Sequence, residues 1–311
     1  MQSLAWIVPS HKPRINYLSI LIDSFQKYSS GVDLIIVWSY KTDNQVDLKF
    51  KSNSPSIRHI YLEDFYSIDD IILMEKTRSI INIKKLLAIK EFYKYYKGLV
   101  CTDDEIEFYR EFTGDLVNEH FSRNRLFPAT NIMSVKAKDD IISRVLAECV
   151  KFLPNESDRS TIKSKIGNFS TYSWFSDLPY YDSRLVRNFL QFYSIIDHTS
   201  LLRINFFTFE HILYQYYCIL AENYKYHLFD WKYNVFGSYN WFECFHLNIN
   251  SPTYALQYQR EFAPLWCSSS ELIDLFTNSF CLFHTDRINI RLSRNKKIKH
   301  HIKEIINLIN A

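Results

Sequence analysis

Glycine is scarce in this chain, which has only 5 glycines among 311 residues, whereas glycine makes up about 7% of an average protein. Neither G-x-G-x-x-G nor G-x-x-x-x-G-K-[ST] occurs in the sequence. The chain therefore lacks the glycine-rich loops with which dinucleotide-binding proteins and P-loop proteins hold phosphate. Any bound nucleotide would have to be held by side chains and a metal ion instead.

Paired cysteines and long apolar runs are also missing. The six cysteines are scattered without a C-x-x-C pair, which favours reduced thiols over a disulfide framework or a zinc site. No apolar run approaches the ~18 residues that cross a membrane. The first residues have neither the basic region nor the apolar region of a signal peptide. We therefore expect a cytosolic protein.

The overall charge is small, at +3, and the basic residues gather near the C-terminus. No nucleic-acid-binding motif is visible, so we expect no nucleic-acid partner. Aromatic residues are unusually common at 17%. Core packing explains most such side chains before any stacking on a ligand is considered.

The order of the apolar segments predicts an α/β fold. Residues 4–8 form a buried apolar run, residues 15–28 have helical spacing, and residues 34–38 form a second apolar run. A right-handed crossover makes two such strands parallel. Residues 57–62 are a candidate third strand, and residues 81–93 predict an amphipathic helix. Ligands of such folds bind at the carboxyl ends of the strands.

Three consecutive acids follow the next predicted strand, residues 99–101. They are Asp103, Asp104 and Glu105. Carboxylates this close repel one another unless water or a cation compensates them. Hard oxygen ligands suit Mg²⁺ or Mn²⁺, which often bind through one or two carboxylates plus substrate phosphates. A solvated acidic turn after a strand would have the same sequence.

The order of these features resembles a GT-A-type glycosyltransferase over roughly residues 4–110. Val-Pro-Ser-His follows the first strand, a helix carries asparagine and lysines, and a hydrophobic strand ends in Thr-Asp-Asp-Glu. In that family a D-x-D motif ends a central strand and ligates the divalent metal that holds the diphosphate of a nucleotide sugar. Asp103 and Glu105 match the outer acids, although Glu105 departs from the second aspartate of the motif.

This resemblance implies a set of site residues around Mn²⁺ or Mg²⁺. The metal ligands would be Asp103, Glu105 and, late in the chain, His246. The nucleotide sugar, a UDP-sugar by default, would contact a further group of residues: Pro9, Ser10, His11, Asn82, Lys84, Lys85 and Asp104. The lysines are also explained as the solvated face of a helix, and His246 among aromatics as a core residue.

The second half of the chain offers two candidate bases for an acceptor hydroxyl. Inverting members of the family place an acid at the head of a helix, where Glu210 stands in this sequence, and a carboxylate in hydrogen-bond reach can act as a base. The helix dipole alone would also favour Glu210 there. Asp182, a plausible cap of the helix 185–193, is the second candidate. Residues 157–171 are polar, which favours a mobile loop.

We therefore expect a Rossmann-type mixed sheet flanked by helices, as in GT-A enzymes, with a helical, aromatic-rich C-terminal acceptor region. Residues 1–125 would bind the nucleotide sugar and residues 126–286 the acceptor. Residues 287–311 combine basic residues with isoleucines at helical spacing. They would either contact an anionic membrane as an amphipathic helix or pack on the core.

The predicted activity is metal-dependent transfer of a sugar to a hydroxyl of a glycan or lipid-linked oligosaccharide. The setting would be bacterial surface polysaccharide or lipopolysaccharide synthesis, in the cytoplasm or peripherally on the cytosolic face of the inner membrane. Two other functions remain open from the sequence. One is a nucleotidyl- or phosphotransferase that uses the same acids, and the other is a non-catalytic glycan-binding or structural protein.

Overall fold

A computed structural model describes most of the first three quarters of the chain and three short strands beyond it. The described residues are 1–46, 56–104, 106–108, 111–123, 126–129, 140–166, 179–228, 241–244, 256–259 and 282–284. Their strands are β1 (Gln2–Pro9), β2 (Ser29–Ser30), β3 (Val32–Trp38), β4 (Ile57–Tyr61), β5 (Tyr96–Cys101), β6 (Ile106–Phe108), β7 (Phe112–Thr113), β8 (Leu126–Ala129), β9 (Tyr180–Asp182), β10 (Lys225–Leu228), β11 (Trp241–Cys244), β12 (Leu256–Gln259) and β13 (Leu282–His284).

The helices alternate with the strands over the first half of the chain and dominate the region 140–221. The α-helices are α1 (Ile15–Tyr28), α2 (Ile68–Lys76), α3 (Ile80–Phe92), α4 (Gly114–Arg123), α5 (Asp140–Lys151), α6 (Glu156–Ile166), α7 (Ser183–Phe192), α8 (His198–Leu201) and α9 (Glu210–Ala221). Short 3₁₀ helices cover Lys12–Arg14, Lys41–Val46 and Leu62–Asp64.

Among the described residues, the main sheet has five strands in the order β4-β3-β1-β5-β9. The first four are parallel, and β9 runs antiparallel to β5. The predicted α/β class and the parallel pairing of the first two apolar runs are therefore confirmed. The central strands are apolar over most of their length, as in residues 4–8 of β1 and 34–38 of β3, because helices cover both faces of the sheet.

The direction in which the chain crosses the sheet reverses beside β1. From β1 the chain passes to β3 and β4 on one side, and it then returns to place β5 on the other side. At such a switch point the connections leave in opposite directions, so a crevice opens at the carboxyl ends of the two strands. The register places Ile7 opposite Cys101, the last residue of β5, so β1 ends two residues further on, at Pro9.

Helix α3 lies in the larger of the two cores. It packs between the sheet and the helices α7, α8 and α9, and its apolar residues from Ile83 to Ile89 are buried. The prediction of an amphipathic helix was wrong in this respect, since α3 is surrounded on nearly all sides. Two of its polar residues, Asn82 and Lys84, are buried as well. Their contacts belong to the site described below.

The mobile loop predicted at 157–171 was wrong for its first ten residues, because α6 occupies them. The side chain of Asn155 accepts a 2.8 Å hydrogen bond from the backbone N–H of Asp158, as a helix cap does. Arg159 pairs with Glu156 at 3.2 Å, and Ile162 is fully buried. Residues 167–171 lie outside the described part of the chain.

The region 180–221 completes the same core that residues 1–108 begin. Strand β9 pairs with β5, and helices α7 and α9 pack together beneath the sheet. Their aromatic residues, such as Tyr214 and Tyr217, are buried in that core. The predicted C-terminal segment 287–311 lies outside the described residues. Within the described residues, no helix has the length and apolar character needed to span a membrane.

Candidate active site

The ends of β1 and β5 are joined by a buried hydrogen bond between side chains. The hydroxyl of Ser10 donates to Oδ2 of Asp104 at 2.7 Å, and the two residues are only 1% and 2% exposed. The backbone N–H of Ser10 also donates to the carbonyl of Val37 at 2.9 Å. The segment after β1 is thereby fixed to both neighbouring strands, at the edge of the sheet where a ligand would bind.

Thr102 fixes the segment that leads into the acids. Its backbone N–H donates to the carbonyl of Ile7 at 3.0 Å, which extends the pairing of β5 with β1. Its hydroxyl accepts a 2.8 Å hydrogen bond from the indole N–H of Trp6. Because both side chains are buried, this bond orients the chain just before Asp103.

Two predicted phosphate contacts on α3 bind the backbone instead. The amide of Asn82 donates to the carbonyls of Asn205 and Phe206 at 3.1 Å each. The ammonium of Lys84 donates to the carbonyl of Ser10 at 2.6 Å. Through these two side chains, α3 ties the segment after β1 to the segment that precedes α9.

Burial of Lys84 has an electrostatic consequence. Desolvation lowers the pKa of Lys84 to about 8, although Asp43, Asp104 and Glu75 oppose this effect by favouring the charged form. The ordinary value is 10.5, so part of the Lys84 population gives up its proton within the mildly alkaline range. This ammonium is the donor that fixes Ser10, and Ser10 in turn binds Asp104.

Lys85 connects the exposed acid at the strand end with a buried acid on α9. Its ammonium lies 3.0 Å from Oδ1 of Asp103 and 3.6 Å from Oε1 of Glu210. Asp103 is 45% exposed, the Lys85 side chain 12%, and Glu210 only 1%. Burial opposes the charge on Lys85, but Asp103 and Glu210 outweigh it and raise the pKa of Lys85 above its usual value.

Glu210 begins α9, as predicted, but it faces the core. Both of its carboxylate oxygens are buried and have no hydrogen-bond partner among the described residues. The neighbouring His211 lies 3.7 Å from Oε1 through Nδ1, and its two ring nitrogens are buried without a hydrogen bond in the same part of the chain. Burial alone would raise the pKa of Glu210, but Lys85 and His211 hold it below its ordinary value.

Asp182 lies away from this cluster. It stands opposite Gly98, three residues before the end of β5. Its carboxylate caps α7 by accepting from the backbone N–H of Arg184 at 3.0 Å, which confirms the predicted cap. The guanidinium of Arg184 also donates hydrogen bonds to both carboxylate oxygens. The structure therefore does not bring this second candidate base together with Asp103.

The other predicted site residues divide between the strand ends and the undescribed part of the chain. Pro9 is the last residue of β1, and Ser10 and an exposed His11 follow it. The structure thus brings Ser10, Lys84, Lys85, Asp103 and Asp104 into one place. Glu105 and His246, two of the three predicted metal ligands, lie outside the described residues.

A hard divalent cation at the strand ends would find one oxygen ligand among the described residues in the carboxylate of Asp103. Asp103 presents a half-exposed carboxylate, and such ions commonly use one or two carboxylates together with substrate oxygens. Among the residues that the structure describes, no group of three or more His, Cys, Asp and Glu side chains is arranged to hold a metal ion. A cation at Asp103 would therefore need further ligands from outside the described residues, from a bound ligand or from water.

A nucleophilic cysteine is not part of this arrangement. Cys101 ends β5 directly before Thr102 and is fully buried. Burial raises the pKa of its thiol well above the ordinary value, and the negative charge of Glu210 adds to this effect. A thiol that stays protonated is a poor nucleophile, so Cys101 is not a candidate nucleophile.

Sequence reasoning gave no role to Trp6, Thr102 or His211. The threonine between the apolar strand and the acids was visible in the sequence, but its partner Trp6 lies 96 residues away. For His211, the only local sign in the sequence is that it directly follows a glutamate, Glu210, at the start of a predicted helix. Only the packing of α9 against α3 reveals that this pair is buried next to Lys85.

Comparison with known proteins adds no family to these observations. Neither a protein-family model nor a curated protein sequence matches this chain. A mostly parallel sheet with helices on both faces supports many unrelated activities, so the fold by itself assigns no function. What the chain does has to be inferred from the chemistry at the ends of β1 and β5.

Proposed function

We propose that this protein is a GT-A-type glycosyltransferase. It would transfer a sugar from a nucleotide sugar, a UDP-sugar by default, to a hydroxyl of a glycan or lipid-linked acceptor. The observation that carries this proposal is the position of Asp103 and Asp104. Both follow the central strand β5, beside the end of β1, at the switch point of the strand order.

Diphosphate chemistry explains why opposite charges are concentrated there. A nucleoside diphosphate leaves with several negative charges, which must be neutralised as the bond to the sugar breaks. Lys85 provides one positive charge at the strand ends and Asp103 a half-exposed carboxylate. A divalent cation bound at Asp103 would supply Lewis-acid stabilisation of the departing diphosphate. No glycine-rich loop is required when a cation and side chains hold the phosphates.

The remaining polar residues hold the framework of this site. Asp104 is buried and fixes Ser10, while Lys84 fixes the carbonyl of the same serine. These contacts hold the segment after β1 in place at the carboxyl ends of the strands, where a ligand would bind. His11, which is exposed beside it, would face the nucleotide.

The test is nucleotide binding, measured through thermal unfolding of the purified chain. UDP, GDP, CDP and ADP would each be added with Mn²⁺ and, separately, with EDTA. A ligand at 100 times its dissociation constant stabilises a protein by about 2.7 kcal/mol. We expect one of these nucleotides to raise the melting temperature with Mn²⁺ and to have much less effect with EDTA.

Asp103→Asn should abolish the metal-dependent part of the shift. Asp115→Asn is a matched control, because Asp115 is also an exposed aspartate paired with a lysine, Lys97, at 3.4 Å. Asp115 lies beside Ser3, near the opposite end of β1. If no nucleotide shifts the wild-type protein under either condition, the transferase proposal fails. If a nucleotide does bind, an assay for release of the nucleoside diphosphate from its sugar donor identifies the reaction class.

A further inference from the structure

Among the described residues, Lys85 has two counter-ions, which differ in their exposure to solvent. Asp103 is 45% exposed, whereas Glu210 is 1% exposed and enclosed by the core. The ammonium is closer to Asp103, at 3.0 Å, than to Glu210, at 3.6 Å. A ligand that engages Asp103 would thus remove one partner of Lys85 and leave the other untouched.

We propose that Glu210 is a positioning residue, which holds the ammonium of Lys85 at the strand ends so that Lys85 can bind the diphosphate of the donor. This inference rests on the proposed function, because it names the contact for the leaving group. Glu210 acts here through Lys85 and does not touch the substrate. Lys85 itself provides the direct contact with the anion.

The burial of Glu210 argues for this role and against that of the acceptor base. A base must come within hydrogen-bond reach of the hydroxyl that it deprotonates, yet both oxygens of Glu210 are enclosed. An acceptor would have to displace Lys85 or open the start of α9 to reach them. A buried carboxylate paired with a lysine also costs stability compared with apolar residues of similar volume, so the fold itself does not require this charge at Glu210.

The class of ligand follows from the geometry of the ammonium. The ammonium of Lys85 is a compact positive charge with three N–H donors, which suits phosphate oxygens. It lies beside the carboxylate of Asp103, which would bind a cation that also contacts phosphate. With a cation held at Asp103, Lys85 would keep its ion pair with Glu210 and would donate to the bound anion. A nucleoside diphosphate or pyrophosphate would supply negative charge to both the ammonium of Lys85 and a divalent cation at Asp103.

The experiment measures the binding of UDP and of pyrophosphate, each with Mn²⁺, by calorimetry. Lys85→Met should weaken binding about tenfold or more, because it removes a charge-assisted hydrogen bond. Glu210→Gln should weaken binding several-fold while the shape of the side chain is kept. Lys85→Met combined with Glu210→Gln should bind as weakly as Lys85→Met alone, since Glu210 acts only through Lys85.

The combined variant also guards against loss of the fold. Removing one member of a buried ion pair is strongly destabilising, whereas replacing both members is often tolerated. Kinetics of Glu210→Gln separate the two roles of Glu210. Loss of a positioning residue raises KM for the donor, whereas loss of a base lowers kcat at unchanged donor affinity. Equal affinity of the wild type and the combined variant would overturn this inference alone. Failure of the wild-type protein to bind either anion, or any nucleotide, would overturn the proposed function with it.

Discussion

The hydroxyl of Ser10 and the carboxylate of Asp104 meet at 2.7 Å across the ends of two neighbouring strands. Ser10 belongs to the segment after β1 and Asp104 to the segment after β5, 94 residues later. Since both are buried, the bond fixes the two segments that border the crevice relative to each other. Lys84 strengthens this junction by donating to the carbonyl of Ser10.

Ser10→Ala should destabilise the fold by about 2 kcal/mol, because a hydrogen bond to a charged, buried group contributes about 1.5–3 kcal/mol. Urea unfolding at neutral pH measures this change. Asp104→Asn should be destabilising as well, and the double variant should lose less than the sum of the two single losses. Strict additivity would show that the two side chains do not interact.

Thr102→Val should cost about 1–3 kcal/mol, because it leaves the buried indole N–H of Trp6 without its acceptor at nearly unchanged volume. Thr102→Ser is the matched control, since it retains the hydroxyl and removes one methyl group, worth about 0.8 kcal/mol. Both are measured by urea unfolding. A larger loss in the serine variant than in the valine variant would mean that packing, and not the hydrogen bond, holds Thr102.

The framework of the sheet was predictable because its signals are local. The apolar run at 4–8, the helical spacing at 15–28 and the second run at 34–38 correspond to β1, α1 and β3. Each pattern reflects burial on one face or both faces of an element. The pairing of β1 with β3 then followed from the handedness of crossovers, and the structure confirms it.

The site was less predictable, because the direction of a side chain depends on elements that are distant in sequence. Asn82, Lys84 and Lys85 share one turn of α3, yet Asn82 binds carbonyls beyond residue 200, Lys84 binds Ser10, and only Lys85 reaches the acids. Asp182 was predicted as a second candidate base for the acceptor hydroxyl, but the antiparallel register of β9 places it opposite Gly98. No local pattern encodes such a register.

Gly98→Ala should destabilise the sheet by about 1–3 kcal/mol through overpacking. A Cβ at this position would collide with the side chains of Asn118 and Tyr180, whose mutual hydrogen bond is 2.9 Å long. Shortening one neighbour, as in Asn118→Ala, should lessen the additional loss caused by Gly98→Ala. Thermal unfolding of the wild type, the two single variants and the double variant tests the prediction. The prediction is wrong if Gly98→Ala alone leaves the melting temperature unchanged.

Lys84 should make stability depend on pH between about 8 and 10.5. Because burial lowers the pKa of Lys84 to about 8, the lysine is charged in both the folded and the unfolded chain below that pH, and its desolvation penalty is present in full. Above it the folded chain loses the proton while the unfolded chain keeps it. The free energy of unfolding therefore rises with pH, by up to about 1.4 kcal/mol for each unit.

Comparison with Lys84→Met isolates this contribution, since other titrating groups are common to both proteins. Urea unfolding at pH 7 and pH 9.5 should show the wild type gaining about 2 kcal/mol relative to the variant. The absence of a relative gain over this interval would mean that Lys84 keeps its proton in the folded chain, with its attraction to Asp104 and Asp43 offsetting the penalty of burial. The presence or absence of the gain thus decides whether the junction at Ser10 is held by a neutral amine or by an ammonium group in alkaline solution.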